Sequence, residues 1–475
     1  MDKKTKILKE TFKFDSFRGK QAEIIDYINS KAKTESVVVM PTGAGKSLLF
    51  QIPALMSENI TLVISPLISL MNDQVNHLRG LGIGAECVHS DLPKQTAKAN
   101  MRRIMSGKSK LLYISPEKAC SSKFISFLSR FKIDIIAIDE AHCISQWGHD
   151  FRPSYKKLGL LLKGLSPKKT IALTATATEE VVDDIKATLN INGEVFVTGF
   201  YRPDLRVSTK YFTSMDLCSQ TDFILDYCDD EVSGIVYTIT KKDAFNISKN
   251  LKKFGVNTFC YHSEIKKEEK ERIGVSWKKD GGVVVATTAF GMGIDKPNVR
   301  FVINMGLPSS VEEWYQMIGR ASRDGQGADC ILCYSKKDLW MRNHLVSLSL
   351  PEWKDLRFFI NWVERKTRNG NVKIKMTQKK MAKEAGVNDF VCGGCCSQII
   401  RAGAMEKIKN SEYILKKKPI VIDKYEYERA RKDKIDKFMR VFNYAKDNNV
   451  CRMRQFCGYF GEKIDNVCGT CDNCL

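Results

Sequence analysis

Residues Met40 to Ser47 read MPTGAGKS, directly after the apolar run SVVVM and directly before a helical pattern. A strand that turns through two glycines into a helix opening on Lys-Ser constrains this chain more than any other stretch. Gly43 and Gly45 let the backbone curl so that its N–H groups face an anion. The helix that follows points its positive end at the same place. Thr42, Gly43, Gly45, Lys46 and Ser47 are therefore the candidate phosphate loop, with Lys46 on the outer phosphates and Ser47 a ligand for Mg2+. Met40 stands where the usual pattern has glycine, but the strand before and the helix after supply the context the loop needs.

The same rhythm of apolar run, turn and helical pattern recurs. ITLVISP, KLLYISP, IDIIAIDE and KTIALTATAT form one series; GIVYTIT, TFCYH, GGVVVATT, RFVINMG and DCILCY form a second. Uninterrupted apolar runs of this length mark parallel strands covered by helices on both faces. The reading is an α/β chain with two parallel-sheet domains, 1–208 and 209–345, whose sites lie at the strand C-terminal ends. A basic region follows over 346–440. Within it VKIKMTQKKMAKEAGV, SQIIRAGAMEKI and SEYILKKKPIVID read as strand, helix, turn, helix, strand. That is either a helix-turn-helix with a wing or a basic helical insertion of no special shape. A cysteine-rich tail occupies 441–475.

Lysine and arginine total 76 against 55 acids, a net charge of +21. From Trp353 to the end, 27 basic residues face 15 acidic ones, so over half the excess sits in about a quarter of the chain. Such a balance favours a polyanionic partner. No apolar run is long enough to span a membrane, and MDKKTKILKETFKF lacks the apolar segment of a secretory signal. An intracellular location is expected, with nucleus and cytoplasm not distinguished.

IDIIAIDEAH ends a buried strand in adjacent acids, which is costly without a compensating cation. Asp139 is the candidate for holding Mg2+ through water, and Glu140 for orienting or deprotonating an attacking water. Phosphoryl transfer also needs positive charge on the moving group. QMIGRASRDG offers Arg320 and Arg323, three apart and read here as one helical face; surface salt bridging is the alternative.

Of the 16 cysteines, Cys330 and Cys333 read as strand residues without chemistry. The tail spacing Cys451-x16-Cys468-x2-Cys471-x2-Cys474 can close a tetrahedral Zn2+ site, with Cys457 an extra thiol packed inside. Cys392, Cys395 and Cys396 read as free thiols rather than half of a second site.

These strings, in this order, resemble the RecQ family of superfamily-two helicases over residues 8 to about 340 and again over 450–475. FKFDSFRGKQ resembles the family's adenine-reading motif, which implies that Arg18 and Gln21 contact the base. SPLISLMNDQV, beginning at Ser65, LTATAT, FYRPDL and ATTAFGMGIDKPNVRFVI match further family motifs. DEAHCISQWGHDFRPSY joins the acid box to an aromatic-rich loop in which Trp147, His149, Phe151, Arg152 and Tyr155 are candidates for stacking on single-stranded bases. The resemblance implies two RecA-like domains followed by a basic, mostly helical zinc-binding region. It implies ATP, Mg2+ and Zn2+ as cofactors, and 3′-to-5′ translocation on single-stranded DNA with unwinding of tailed or forked duplexes in repair, recombination or replication. It makes His142 a relay to the other domain, Arg323 an arginine finger with Arg320 nearby, and Asp295 a link to the DNA path.

The sequence departs from the family in three places. Ala321-Ser322 replaces the usual alanine-glycine, and Gly19-Lys20 the usual proline-glycine. Longer relatives continue past the last cysteine into a winged-helix domain, whereas here an extra basic stretch, 353–435, lies between the motor motifs and the zinc ligands. That stretch is expected to supply duplex or fork contacts. An RNA helicase, a motor-like scaffold without turnover, and a translocase that does not unwind remain the rival readings.

Overall fold

The computed structural model describes residues 1–30, 33–145, 151–229, 232–291, 296–368, 372–409 and 411–475. In the first lobe the strands are β1 (Thr34–Val39), β2 (Ile60–Ile64), β3 (Ala85–Val88), β4 (Leu111–Ile114), β5 (Ile133–Ile138), β6 (Lys169–Thr174) and β7 (Glu194–Val197). They form one parallel sheet in the order β3-β4-β2-β5-β6-β1-β7. Alternate residues feed opposite cores: Val37 and Val39 pack on one face, Val38 and Met40 on the other. This two-sided burial explains why the strands read as continuous apolar runs.

The second sheet contains β8 (Leu205–Tyr211), β9 (Ser233–Thr238), β10 (Thr258–Tyr261), β11 (Gly282–Ala286), β12 (Val299–Met305) and β13 (Ala328–Tyr334). All its pairings are parallel, in the order β10-β11-β9-β12-β13-β8. Every strand expected from an apolar run is present. Three that were not foreseen, β3, β7 and β8, carry charged or polar residues that break the run. Because β8 pairs with β13 from Leu205 onward, the boundary between the lobes falls ahead of Leu205 rather than at 208.

Eight helices matter for the site. They are α1 (Leu48–Met56), α2 (Val311–Ile318), α3 (Lys336–Ser349), α4 (Trp353–Lys366), α5 (Gln378–Ala385), α6 (Asp389–Arg401), α7 (Lys424–Lys446) and α8 (Arg452–Tyr459). Between α4 and α7 lie β14 (Lys373–Lys375), β15 (Met405–Lys409) and β16 (Glu412–Leu415), an antiparallel sheet in the order β14-β16-β15. Helix, strand, two helices and a hairpin follow in the order of a helix-turn-helix with a wing. The expected register needs correction: the second helix is α6, which ends at Arg401, and MEKIK is the first strand of the wing rather than helix. Asn388 caps α6 through the Phe390 N–H, which sets its start earlier than the apolar pattern suggested. This module has its own core, with Phe359, Trp362, Cys392, Cys395 and Tyr413 inside. The three cysteines near 395 are buried there as packing residues. Among the described residues, no helix is long and apolar enough to cross a membrane.

Candidate nucleotide site and zinc centre

Strands β5, β6 and β1 are neighbours, so the loops leaving their C-terminal ends lie side by side. They are the acid pair after β5, Thr174–Thr176 at the end of β6 and the phosphate loop after β1. Gly43 and Gly45 both adopt φ +82, a left-handed conformation that costs a residue with a Cβ roughly 1–2 kcal/mol. Lys46, half-buried in this loop, donates from Nζ to the carbonyls of Met40 and Pro41 at 3.0 and 3.2 Å. Burial pulls its ammonium below the ordinary lysine value, against the opposing pull of Glu140 and Asp139. Ser47 sits as the N-cap of α1.

Gln21 is buried, and its amide bridges the loop to the N-terminal segment. Nε2 donates to the Ala44 carbonyl at 2.9 Å, and Oε1 accepts from the Arg18 N–H at 2.9 Å. The two residues expected to read a base thus line the same cleft as the phosphate loop, a cavity of about 680 Å3.

The acids are set with some strain. Glu140 holds φ 49, ψ 46, and its N–H donates to Asp139 Oδ1 at 3.0 Å. Burial, and Glu140 beside it, push the Asp139 carboxyl up to about 7. Glu140 Oε2 is buried without a hydrogen-bond partner among the described residues and lies 3.4 Å from His142 Nδ1. Serine and carboxylate oxygens together, with one carboxylate oxygen unspent, suit a hard divalent cation.

His142 is buried, with Nδ1 3.0 Å from Thr174 Oγ1. Thr174 Oγ1 donates to the Thr176 carbonyl at 3.1 Å, and Thr176 Oγ1 receives Gln316 Nε2 of the second lobe at 3.5 Å. A polar chain therefore runs from Glu140 across the cleft. Thr174, Thr176 and Gln316 were not singled out from sequence. The available signal was the period-two threonine repeat in LTATAT, which puts both hydroxyls on one side.

Arg320 and Arg323 line the same cavity as the phosphate loop, and the Arg323 side chain packs within 3.2 Å of where a Gly43 Cβ would stand. They do not share a helical face. Helix α2 ends at Ile318, and both arginines lie in the irregular turn beyond Gly319. Ser322 between them has φ 51, which accounts for the glycine usual at that position in the family. Its Oγ accepts from the Gly327 N–H at 2.9 Å, a bond that glycine could not make.

The aromatic-rich loop divides. Trp147 and His149, and Asp295 of the other motif, lie outside the described residues. Tyr155 is not a stacking surface: it is fully buried, and its hydroxyl donates to the Asp139 carbonyl at 2.9 Å. Arg152 ties its N–H to Cys143 O and its guanidinium to Pro66 O, each at 2.9 Å. Ser65 is buried at the end of β2 beside Asp139, so its hydroxyl is not presented to a strand. Phe151 is partly exposed and faces the basic module.

In the tail, the Cys451, Cys468, Cys471 and Cys474 sulfurs all lie within 4.8 Å of one another. The Cys468–Cys474, Cys471–Cys451 and Cys471–Cys474 separations are 3.9, 4.0 and 3.3 Å. Zn–S bonds of about 2.3 Å in a tetrahedron require edges near 3.8 Å, so the thiols fit zinc. Cys457 is buried beside them without joining the cluster. Sequence reading missed Arg452 and the role of Glu462. Arg452 is fully buried and grips Asp472 at 2.9 and 3.1 Å and Thr209 Oγ1 of β8 at 2.9 Å. Glu462 accepts from the Phe200 N–H, and Phe460 stacks on Phe200 at 4.3 Å. The zinc tail is thereby locked onto the junction of the two lobes.

A phosphate loop, an acid pair and two arginines from a second parallel-sheet lobe, all facing one cleft, define a two-lobed core with the residues of a nucleoside-triphosphate site. Residues 18–185 match the DEAD/DEAH box helicase family, 220–325 the helicase conserved C-terminal domain and 406–475 the RecQ zinc-binding family. The chain is 43% identical over 356 residues to the ATP-dependent DNA helicase RecQ of Bacillus subtilis (strain 168), covering 73% of this chain and 59% of that protein. It is 36% identical over 406 residues to ATP-dependent DNA helicase Q1 of Mus musculus, covering 83% and 62%. It therefore spans a little under two thirds of these relatives. Among solved structures it resembles Mss116p bound to ssRNA and AMP-PNP, with a TM-score of 0.60 at 16% identity over 82% of this chain and 88% of that one. The chain belongs to the RecQ family of helicases.

Proposed function

We propose that this protein is an ATP-dependent DNA helicase that translocates 3′ to 5′ on single-stranded DNA and unwinds tailed or forked duplexes. The observation that supports it most is the single cleft shared by Lys46, Asp139, Glu140, Arg320 and Arg323. The relatives named above are DNA helicases, which favours DNA over RNA. A service in repair, recombination or replication goes with that reading.

In this mechanism the backbone of Thr42–Gly45 and the Lys46 ammonium hold the outer phosphates of ATP. Ser47 and Asp139 would hold Mg2+, which when bound neutralises charge on those phosphates. Glu140, fixed by its left-handed backbone, positions the attacking water and receives its proton. Arg320 and Arg323 bring positive charge from the second lobe, so turnover depends on lobe closure. His142, Thr174, Thr176 and Gln316 report the state of the acid pair across the cleft. Arg18 and Gln21 bound the base end, and Phe151 contacts the strand. The zinc tail is structural, with Cys451, Cys468, Cys471 and Cys474 as ligands.

Strand release from 3′-tailed, 5′-tailed and RNA duplexes with ATP and Mg2+ tests the reading, with Lys46→Ala as control. Release from the 3′-tailed DNA alone, lost in the control, is expected. Strong single-strand-stimulated hydrolysis with no release would replace helicase by translocase.

A further inference from the structure

A second cavity of about 680 Å3 lies between the two lobes and helices α3, α6 and α7. Phe151 enters it from the first lobe, Arg342 from the second, Arg401 from the end of α6, and Arg429, Lys434 and Lys437 from α7. Glu426 and Asp433 are its acids, and Asp433 already pairs with Lys437 at 3.7 Å. Five cations against two acids leave the lining net positive, which attracts an anion. The Arg401 guanidinium stands over the Phe151 ring at 5.1 Å, and Lys156 Nζ lies 5.4 Å from the same ring.

Two further facts tie this cavity to the motor. Helix α6 is fixed against α3: a Cβ at Gly394 would stand 2.3 Å from the Leu348 carbonyl. The helix that would enter a groove in a free winged helix is thus packed on the motor, with Arg401 as its last residue. Next to Phe151, the Arg152 N–H bonds Cys143 O, one residue from His142. A ligand that moves Phe151 therefore pulls on the segment carrying the relay histidine.

Cations beside an aromatic ring match a phosphodiester backbone with an unstacked base. A cavity of this size lies in the range of small-ligand sites and admits a short stretch of single strand, not a double helix. We propose that this cavity holds the backbone of single-stranded DNA as it passes the Phe151 loop, with Arg401 and Lys434 of the basic module neutralising its phosphates. The winged module would then serve as a single-strand clamp wired to the acid loop, in addition to any duplex contact made elsewhere on it. This rests on the reading of the chain as a nucleic-acid motor.

The test is fluorescence anisotropy of a labelled oligothymidylate and of a blunt DNA duplex against salt, with the wild type and Arg401→Gln/Lys434→Gln. Each phosphate contact on a single strand contributes about 0.7 to the slope of log K against log salt. The double variant should lose about 1.4 of slope on the oligothymidylate and little on the duplex, with its melting midpoint retained. Arg401→Lys should keep most of the slope. Should the double variant fail to fold, each single variant should lose about 0.7. An unchanged single-strand slope, or an equal loss on the duplex, overturns the proposal while leaving the motor reading intact. Absence of salt-dependent single-strand binding by the wild type would overturn both.

Discussion

The hydroxyl of Tyr155 donates to the backbone carbonyl of Asp139 at 2.9 Å, so a residue of the aromatic-rich loop buttresses the acid strand from inside the core. Tyr155→Phe keeps the packing and removes only this bond, worth about 1 kcal/mol. We expect kcat for ATP to fall about fivefold, with the half-saturating Mg2+ concentration raised. A lower melting midpoint with unchanged kcat and Mg2+ dependence would reduce Tyr155 to a packing residue.

Gln316 is the one member of the polar chain that belongs to the second lobe, 3.5 Å from Thr176 Oγ1. Gln316→Ala should leave nucleotide affinity within about twofold and lower strand-stimulated kcat by roughly tenfold, about 1.4 kcal/mol in the barrier. Steady-state kinetics with and without single-stranded DNA separate the two. An equal loss in KM would place Gln316 in binding rather than in coupling.

Asp134 gives the chain an acid-sensitive lock on β5. Burial alone would raise its carboxyl, but Ser57, Lys168 and Asn59 outweigh it and hold the group from the ordinary 3.8 down to about 2. With the folded value depressed, the ionised form is the stabilised one. Its contribution, about 2 kcal/mol, is complete above about pH 4 and is lost as pH falls through about 2. Asp134→Asn should melt lower than wild type at pH 6, and the difference should close on acidification. A difference independent of pH would rule this account out.

The zinc centre and Arg452 hold one joint. Stripping the metal with a chelator should release about one zinc per chain and lower the melting midpoint by several degrees, because ligand binding and local folding are one process. Arg452→Met, which leaves partly exposed Asp472 without its cation, should cost about 2 kcal/mol. Metal analysis that finds no zinc would sink the assignment.

On the wing, Lys407 and Lys409 are exposed along β15, with Ile408 exposed between them. Lys407→Ala/Lys409→Ala should reduce the salt slope for a forked duplex by about 1.8 and leave the oligothymidylate slope in place. A loss on the single strand instead would merge the wing with the clamp around Arg401.

Much of the nucleotide site was legible because its chemistry is local. Gly43, Gly45, Lys46 and Ser47 lie within one turn, and Asp139-Glu140 end one apolar strand, so spacing alone made them candidates, and the structure brings them to one cleft. The four zinc cysteines were legible for the same reason. Tyr155 was misread because a buried and an exposed tyrosine look alike in a loop rich in aromatics. Arg320 and Arg323 were given helical spacing because nothing local announced that α2 stops at Ile318.

What the sequence by itself determined is the set of elements and the chemistry each carries: alternating side chains on parallel strands, a glycine loop before a helix, thiols at metal spacing. The tertiary structure decided which of them meet. It set Thr174 between the acid strand and the phosphate loop, laid Gln316 against Thr176, seated Arg452 on Thr209, and brought Arg401 over Phe151. Those contacts join residues far apart in the chain, and they are fixed by sheet order and by how the modules bury their apolar faces against one another. No local pattern of residues records that.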